Sequence, residues 1–312
     1  MSHTSVVVFG ASGFVGSAVA NAVEAAGATV LRRSAPRLTR LSETRAMRAP
    51  TDFADMVTEV AELLPAGCTV VNAAGMGEAT HGDEMELMAA NCGVAGILAA
   101  AARARGARFV HVSSAAVQGR NALDDSDRFA TFSAYSRSKA AGERSVRQAH
   151  PDAVVYRPPG VHGVNRDVTR SVARLARSRL SSVAAPGTDN SAQALIENVA
   201  AACVFLALSP NQPPSCVSHP SEGMTTAGLL MALGGRSPIL VPRSVARASV
   251  VAARLVGRMA APLAAHARRV EILWFGQVQG PSWLTSVGWS PVVDHSGWYV
   301  LGKQFHNEKD ST

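Results

Sequence analysis

The chain has 312 residues, 47% of them hydrophobic and 17% charged, which excludes a disordered or fibrous protein and leaves room for a large core. The net charge of +7 is compatible with nucleic acid, an anionic membrane or a phosphorylated small molecule as a partner. Only 5% of the residues are aromatic, and the sequence contains neither a zinc finger nor an RNA-binding signature. We therefore expect no nucleic-acid partner.

The four cysteines, at positions 68, 92, 203 and 216, form neither a CxxC pair nor a cluster with histidine. This spacing predicts isolated buried thiols in a reducing compartment. We expect a cytoplasmic protein that binds no metal.

The first apolar segment, Val6 to Phe9, is followed by Gly10, Gly13 and Gly16 and then by apolar residues at helical spacing. It is not typical of a signal peptide, because no Lys or Arg precedes it and glycines interrupt it regularly. A strand, a glycine-rich turn and a helix in this order let backbone N–H groups approach a pyrophosphate at the helix N-terminus. The pattern predicts dinucleotide binding; the alternative is a turn needed only for tight helix–strand packing.

The second strand, residues 28–34, ends in Arg32 and Arg33. NAD sites of doubly wound sheets usually carry Asp or Glu at this point, to hold the ribose 2′-hydroxyl. A guanidinium instead attracts the 2′-phosphate of NADP through charge-assisted hydrogen bonds. The two arginines predict NADP(H) as the cofactor, with two solvated loop arginines as the alternative.

Strands and helices continue to alternate, which predicts an α/β fold: a doubly wound parallel sheet (Rossmann) with helices on both faces. Helices are expected over residues 54–64, 83–105 and 132–149, and strands over residues 68–75, 108–119 (strand and loop) and 153–160. Ligands of such sheets bind beyond the carboxyl ends of the strands. Four candidate segments lie at such ends: the glycine turn, residues 72–75, Ser113 with Ser114, and residues 157–159.

Tyr135 and Lys139 are spaced i, i+4 in a segment with high helix propensity. A neighbouring ammonium lowers the pKa of a tyrosine from about 10 and suits it to acid–base catalysis near neutral pH. By itself this spacing also fits a partly exposed tyrosine and a solvated lysine.

With these elements in order, the chain resembles the extended short-chain dehydrogenase/reductase family, also called the NAD-dependent epimerase/dehydratase family. The resemblance runs nearly end to end, through GASGFVG, TDFADM, NAAG, NCGVAGIL, VSSAAVQG, YSRSK, YRPPGVHG, LIENVAAACVFLAL and SVGWSPVVDHSGW. It implies that Tyr135 transfers a proton, that Lys139 lowers the tyrosine pKa and binds the nicotinamide ribose, and that Ser114 holds the reacting oxygen. Ser113, one residue earlier, should point to the opposite face. The resemblance places the cofactor on Gly10, Ser12, Gly13, Phe14, Val15, Gly16, Arg32, Arg33, Asp52, Phe53, Ala73, Ala74, Gly75, Asn91, Tyr135, Lys139 and Pro158.

Departures from the family pattern narrow the reaction. Ala115 and Ala116 follow Ser114, where sugar-nucleotide dehydratases have acidic residues, so dehydration is not expected. Gln118 and His162 occupy positions where relatives often have tyrosine, and are candidate substrate contacts.

Arginines at positions 166, 170, 174 and 177 share one face of a predicted helix, residues 166–179. Such a stripe can clamp a diphosphate or be a solvated helix face. We expect Arg166 or Arg170, the arginines nearest the active site in sequence, to meet an anionic substrate. The arginine that many relatives carry before the returning helix is not evident here.

These features favour an NADPH-dependent ketoreductase that acts on a nucleotide-linked keto-deoxysugar. The alternatives are a sugar-nucleotide 4-epimerase with bound NAD, a reductase of a small non-sugar ketone and, without catalysis, an NADP-binding redox sensor. The catalytic set Ser114, Tyr135 and Lys139 argues against a sensor. We expect a dinucleotide-binding domain formed by residues 1–160 and 191–208, and a substrate-binding lobe formed by residues 161–190 and 209–312.

The remaining predictions concern membrane binding, one further helix and a dimer interface. No uncharged apolar run is long enough for a membrane span. Residues 245–269 predict an amphipathic surface helix, for which interfacial membrane binding is a minor alternative; we expect no membrane partner. Residues 220–235 predict a helix with a Thr cap and a Gly stop. Alanines at 99–102 and 140–141 would allow the helices over 83–105 and 132–149 to form a homodimer interface, or could serve a monomer.

Overall fold

The computed structural model describes residues 5–46, 50–77, 83–257 and 261–307. In chain order, the strands of these residues, β1 to β10, span Ser5–Phe9, Thr29–Arg33, Thr69–Asn72, Arg108–Val112, Val154–Arg157, Gly160–His162, Ser182–Ala184, Gln193–Leu195, Cys216–Ser218 and Ile239–Val241. The helices, α1 to α13, span Phe14–Ala25, Glu43–Ala46, Ala54–Glu62, Glu84–Met88, Val94–Ala104, Ala134–Ala149, Asp167–Arg177, Ile196–Leu208, Thr226–Gly234, Arg243–Gly257, Ala261–Phe275, Trp283–Ser286 and Ser296–Asn307.

Six parallel strands form the central sheet, in the spatial order β2-β1-β3-β4-β5-β9. The strand order has a switch point between β1 and β3. β2 lies on one side of β1, and the later strands of this sheet lie on the other. Ligands of doubly wound sheets bind beyond the carboxyl ends of the strands at such a switch point. The α/β prediction is confirmed, and the topology puts the candidate site beyond the ends of β1 and β3.

The strands β1, β3, β4 and β5 are buried on both faces. Val6 and Val8 of β1 pack with α1 and α8 on one face, and Val7 and Phe9 pack with α3, α5 and α6 on the other. This alternation follows from the period of two along a strand. Both faces of β1 are therefore apolar, and polar ligands can reach the strand only at its end.

The C-terminal part of the chain has a cluster of its own, which packs α7, α9 and α13 around the fully buried Trp298. Two small parallel sheets, β6 with β8 and β7 with β10, accompany it. The proposed division into a dinucleotide-binding domain and a substrate lobe stays a prediction, with this cluster as a candidate core for the lobe.

Two helix predictions need refinement. The helix expected over residues 83–105 runs through Glu84–Ala104 but contains a π-turn at Ala89–Gly93. It is long and apolar enough to cross a membrane by length and composition, yet 78% of its apolar window is buried inside the protein. The single helix expected over residues 245–269 is instead two helices, α10 and α11. Pro262, in the first turn of α11, explains the restart, since proline is tolerated there and not in a helix interior.

The helix prediction for residues 220–235 is confirmed in its capping. Helix α9 begins after Thr225, whose hydroxyl accepts a hydrogen bond from the Gly228 N–H at 3.0 Å. It ends at Gly235, which has a φ of +69°.

Candidate active site

The glycine turn leaves no room for side chains where the chain crosses the end of β1. A Cβ on Gly16 would lie 2.1 Å from the Gly10 carbonyl oxygen, and a Cβ on Gly10 would lie 2.6 Å from the Ala74 nitrogen. Gly10 also has a φ of +78°, which favours glycine. No side chain caps the N-terminus of α1 at Gly13, so its first amide groups are left for another acceptor. The turn, with Ser12, Phe14 and Val15 at its rim, fits a dinucleotide pyrophosphate.

The two arginines at the end of β2 lie in different surroundings. Arg32 is held against α1, where its guanidinium donates to Glu24 at 2.6 Å and to Asn21 at 2.9 Å. Arg33 lies on the other face of β2, where its neighbour of the same face, Leu31, packs. The Nε of Arg33 is buried and has no partner among the described residues. Arg33 is therefore better placed than Arg32 to meet a 2′-phosphate, a distinction that the sequence did not make.

Asp52 and Phe53 lie in the turn that leads into α3. Asp52 is exposed, and the Phe53 ring packs against the apolar cluster on the side of the sheet where Leu31 also packs. This arrangement brings Phe53 to the same side of the sheet as Arg33, as an adenine site at the end of β2 requires.

The end of β3 is fixed by its own polar side chain. The Asn72 Oδ1 accepts a hydrogen bond from the Ala74 N–H at 3.0 Å, and its Nδ2 lies 3.1 Å from His111 Nδ1. The Ala73 N–H donates to the Phe9 carbonyl at 3.0 Å. These bonds hold residues 73–75 against the end of β1, facing the glycine turn.

Gly75, Asn91 and Lys139 meet beyond the end of β3. A Cβ on Gly75 would lie 2.5 Å from Asn91 Oδ1 and 3.3 Å from Lys139 Nζ, so only glycine fits. The buried Asn91, in the π-turn, accepts from the Met76 N–H at 2.9 Å and donates to Ser138 Oγ at 3.0 Å. Asn91 therefore joins the end of β3 to α6, the helix that carries Lys139. π-Turns are frequent at functional sites.

Helix α6 presents Tyr135 and Lys139 to this place. It begins with a capping box in which Ser133 and Ser136 bond reciprocally. Tyr135 lies in the first turn, half-buried, and Lys139 lies one turn later at 7% exposure. Lys139 Nζ donates to the Val112 carbonyl at 3.3 Å, at the end of β4. Burial lowers the pKa of Lys139 to about 8, against the opposing charge of Glu143, so the ammonium persists at neutral pH.

The two serines after β4 point in different directions, as expected. Ser113 is buried and donates to Glu143 at 2.6 Å. Ser114 is only partly buried and its Oγ accepts from the Ala116 N–H at 3.2 Å. The Ala115 N–H donates to the Pro158 carbonyl at 2.9 Å, which fixes this loop against the segment after β5. Ser114 is thus the hydroxyl that remains available to a ligand.

Arg166 lies between the glycine turn and the candidate catalytic tyrosine. Its guanidinium is 5.0 Å from the centre of the Phe14 ring. Burial lowers the pKa of Arg166, and its attraction to Tyr135 opposes that shift. The structure thus brings one of the two predicted arginines to the site.

Arg170 is held elsewhere. It donates to Asp167 at 3.0 Å and lines an open depression of about 310 Å³ on α7 together with Arg174, Arg177 and Phe305. At 42% side-chain exposure, its ion pair is largely solvated. Nothing in these contacts links Arg170 to Tyr135.

Gln118 and His162 are engaged in internal contacts. Gln118 is fully buried, and its amide donates to the Asp124 side chain at 2.9 Å and accepts from the Asp124 N–H at 3.2 Å. His162 Nε2 lies 2.8 Å from Gln193 Oε1, and its ring centre is 5.3 Å from that of Trp298. Burial lowers the pKa of His162 to about 4, so it is neutral at pH 7. These contacts favour structural roles over substrate contact.

A buried ion pair beneath the site was missed in the sequence. Glu143 and Arg157 are both fully buried, and the guanidinium donates to the carboxylate at 2.6 Å and 2.9 Å. Since Glu143 also accepts from Ser113, the pair joins α6, the end of β4 and the end of β5. The available signal was the spacing of Lys139 and Glu143, which puts both on one face of α6.

Comparison with known proteins gives a family and a fold. The family model of the NAD dependent epimerase/dehydratase family matches residues 6–215. Among curated proteins, the chain is 38% identical over 113 residues to a ceramide reductase from Caulobacter vibrioides (strain NA1000 / CB15N). That match covers 36% of this chain and 32% of the relative, about a third of the relative's length.

Solved structures share the fold over nearly the whole chain. A dTDP-4-dehydrorhamnose reductase from Bacillus anthracis str. Ames in complex with NADP has a TM-score of 0.64 and 15% identity, with 96% of this chain and 99% of that chain covered. A UDP-glucuronic acid 4-epimerase from Bacillus cereus in complex with NAD has a TM-score of 0.66 and 16% identity, with 98% and 99% covered. At these identities the two structures establish the α/β fold and leave the reaction open.

Proposed function

Because the chain belongs to the NAD dependent epimerase/dehydratase family and is an NAD(P)-dependent oxidoreductase-type enzyme, we propose that it reduces a carbonyl group of its substrate to an alcohol. One observation carries this proposal. The buried Lys139 ammonium lies one helical turn from Tyr135, beside Gly75 and at the carboxyl end of β4. Such a cation serves proton transfer, and a protein that only binds a dinucleotide does not need it.

Each residue of this group has a distinct role in the proposal. The Tyr135 phenol donates a proton to the carbonyl oxygen while Ser114 Oγ hydrogen-bonds the same oxygen. Lys139 is cationic at neutral pH and stabilises the phenolate that remains. NADPH, when bound, supplies the hydride to the carbonyl carbon.

We assign NADP(H) rather than NAD as the cofactor. Arg33 offers a guanidinium to a 2′-phosphate, and residues 34–42, which follow β2, contain no carboxylate to repel that phosphate. The charge of Arg32 is largely compensated by Glu24. Asn91 and Gly75 would hold the segment that follows β3 alongside the cofactor. The four cysteines are buried and form no disulfide among the described residues, which fits the cytoplasmic location that this proposal includes.

The first candidate substrate is a nucleotide-linked keto-deoxysugar. It is supported by Arg166, whose guanidinium lies over the Phe14 ring and interacts electrostatically with Tyr135, so that it could bind a diphosphate there. For the same class of substrate, the alternative activity is that of a 4-epimerase that retains NAD.

A second candidate is a long-chain lipid ketone, a non-sugar substrate. The specific observation in its favour is the 38% identity over 113 residues to a protein named ceramide reductase. Because that match covers a third of the relative, the lipid substrate is an alternative rather than a premise.

The test begins with the purified protein. Any retained nucleotide is released by denaturation and identified, and the emptied protein is titrated with NADPH and NADH. NADPH oxidation is then followed with a dTDP-4-keto-6-deoxysugar and with a long-chain 3-keto lipid amide as substrates. We expect Tyr135→Phe to lower kcat by about 10²- to 10⁴-fold at unchanged NADPH affinity.

The matched control is Tyr299→Phe, at a tyrosine of α13 with 39% exposure, which we expect to leave kcat unchanged. Stoichiometric retained NAD with epimer interconversion and no net NADPH oxidation would refute the reductase. Full activity of Tyr135→Phe would refute the assigned proton donor.

A further inference from the structure

Helix α10 carries an apolar stripe on its outward side. The stripe consists of Val245, Ala248, Val251, Ala252 and Leu255, all exposed, with Val245, Val251 and Leu255 at 53%, 52% and 54%. At about 100° per residue, the five positions fall within an arc of about 120°. The arc lies opposite Ala246 and Val250, which face the interior of the protein at 0% and 4% exposure. The stripe is therefore additional to the face by which α10 packs.

Apolar side chains near α10 extend this surface. Ile239 and Leu240 of β10 are 55% and 52% exposed, and Leu180, just before β7, is 77% exposed. β7 and β10 are paired, with Ile239 opposite Ser182, and β10 leads directly into α10. We call the stripe of α10 together with Leu180, Ile239 and Leu240 the docking surface.

The segment around this surface is strongly basic. Residues 236–275 contain seven arginines and a single acidic residue, Glu271. Glu271 pairs with Arg254 and, at 3.2 Å, with Arg268, so it is already neutralised. On α10, Arg247 and Arg254 lie along one flank of the stripe, between it and the buried face. The outward face thus combines exposed apolar side chains with the exposed Arg247 and a net excess of arginine over acidic residues, while Arg254 is paired with Glu271 and Arg243 with Asp189.

We propose that the docking surface binds the surface of a bilayer that contains anionic lipids. A helix with an apolar face and an arginine-rich flank is the pattern of interfacial helices, whose apolar side chains enter the headgroup region while the cations meet lipid phosphates. This departs from the sequence expectation of no membrane partner. It does not depend on which carbonyl substrate the enzyme reduces.

The docking surface is connected to the candidate active site through α11, which packs against α10. In the middle of α11, Arg268 donates to the Gly119 carbonyl at 2.7 Å, and just beyond the helix Gln277 donates to the same oxygen at 2.9 Å. Arg120 pairs with Glu271 at 3.2 Å. Gly119 and Arg120 belong to the loop that begins at Ser114. The docking surface is therefore linked, through α11, to the loop that carries Ser114.

The test is co-sedimentation of the full chain with vesicles of equal parts phosphatidylglycerol and phosphatidylcholine, and with vesicles of phosphatidylcholine alone. The variant Val251→Asp puts a charge in the centre of the stripe. Its matched control is Val300→Asp, at a valine of α13 with 56% exposure. Thermal unfolding and NADPH affinity are measured for each variant. Both should be unchanged, because the two positions are exposed and far from the catalytic group in sequence.

We expect the wild type and Val300→Asp to bind the anionic vesicles and Val251→Asp to bind about tenfold more weakly or not at all. Binding should be weak to phosphatidylcholine alone and should fall in about 1 M salt, where the Debye length is about 3 Å. Equal binding to both vesicle types, or unchanged binding of Val251→Asp, would overturn the proposal. A Val251→Asp variant that converts a dimer to a monomer while vesicle binding is unchanged would assign the surface to a second copy of the chain instead.

Discussion

Replacing Arg157 with methionine tests the buried ion pair beneath the site. The change removes two hydrogen bonds to Glu143, at 2.6 Å and 2.9 Å, and a third to the Ser126 carbonyl at 2.6 Å. The carboxylate would stay fully buried with Ser113 and, at 3.3 Å, Arg147 as its partners. Removal of one member of a buried pair costs about 3–5 kcal/mol, because the other charge is left uncompensated. Since two partners remain, we expect a loss near 3 kcal/mol.

The assay is urea unfolding of the wild type and variants, with the free energy of unfolding as the readout. Arg137→Met is the matched control, because Arg137 is on the same helix as Glu143 and pairs with Glu84 at 2.8 Å with both side chains about half exposed. The loss for this control should be below about 1 kcal/mol. In the double variant Glu143→Gln with Arg157→Met, no carboxylate is left unpaired at this site, so it should be more stable than Arg157→Met alone. This account of the pair would be refuted if Arg157→Met lowered the free energy of unfolding by no more than Arg137→Met does. It would also be refuted if the double variant were less stable than Arg157→Met.

Two further predictions concern the cofactor and pH. Arg33→Ala should weaken NADPH binding by about 10- to 100-fold and leave NADH binding unchanged, since one charge-assisted hydrogen bond contributes about 1.5–3 kcal/mol. Arg32→Ala should weaken NADPH binding less than Arg33→Ala does, because Glu24 already holds the Arg32 guanidinium. Isothermal titration of both variants with NADPH compares the two losses. A larger loss for Arg32→Ala would contradict the prediction. Lys139 has a folded-state pKa of about 8 against an ordinary 10.5, so the unfolded chain binds more protons between these values and stability should rise with pH there. In the cofactor-free protein, Lys139→Met should remove up to about 3 kcal/mol of that rise in the free energy of unfolding. The measurement is the difference in this free energy between wild type and variant as a function of pH. A difference that does not change with pH would contradict the prediction.

Features determined by local sequence were predictable. The glycine turn, the strand ends and the helix expected over residues 132–149 follow from apolar period, glycine position and helix propensity, and all three are present in the structure. These features depend on residues within one or two turns of each other, which is the range over which a sequence pattern can be interpreted without knowledge of the fold.

Side-chain direction and long-range pairing were not predictable. Arg32 and Arg33 are adjacent in sequence, and only the packing of α1 against β2 shows which of them meets Glu24. Gln118 was a candidate substrate contact because relatives often have tyrosine at its position. Its amide is instead occupied by Asp124, in a turn that the sequence does not reveal.

The small residues of α6 have a use inside the protomer. A Cβ on Gly142 would lie 2.1 Å from the Asn91 carbonyl, so this glycine lets α6 approach the π-turn closely. Ala140 and Ala141, on the same helix, are fully buried without any partner chain. These two alanines, which we considered for a homodimer interface, therefore pack within one chain, and a dimer formed through α6 must use other side chains of this helix. The close contact also bears on catalysis, because Asn91 holds Gly75 beside Lys139: a larger residue at position 142 would move the π-turn away from α6 and separate the groups that the proposed reaction requires.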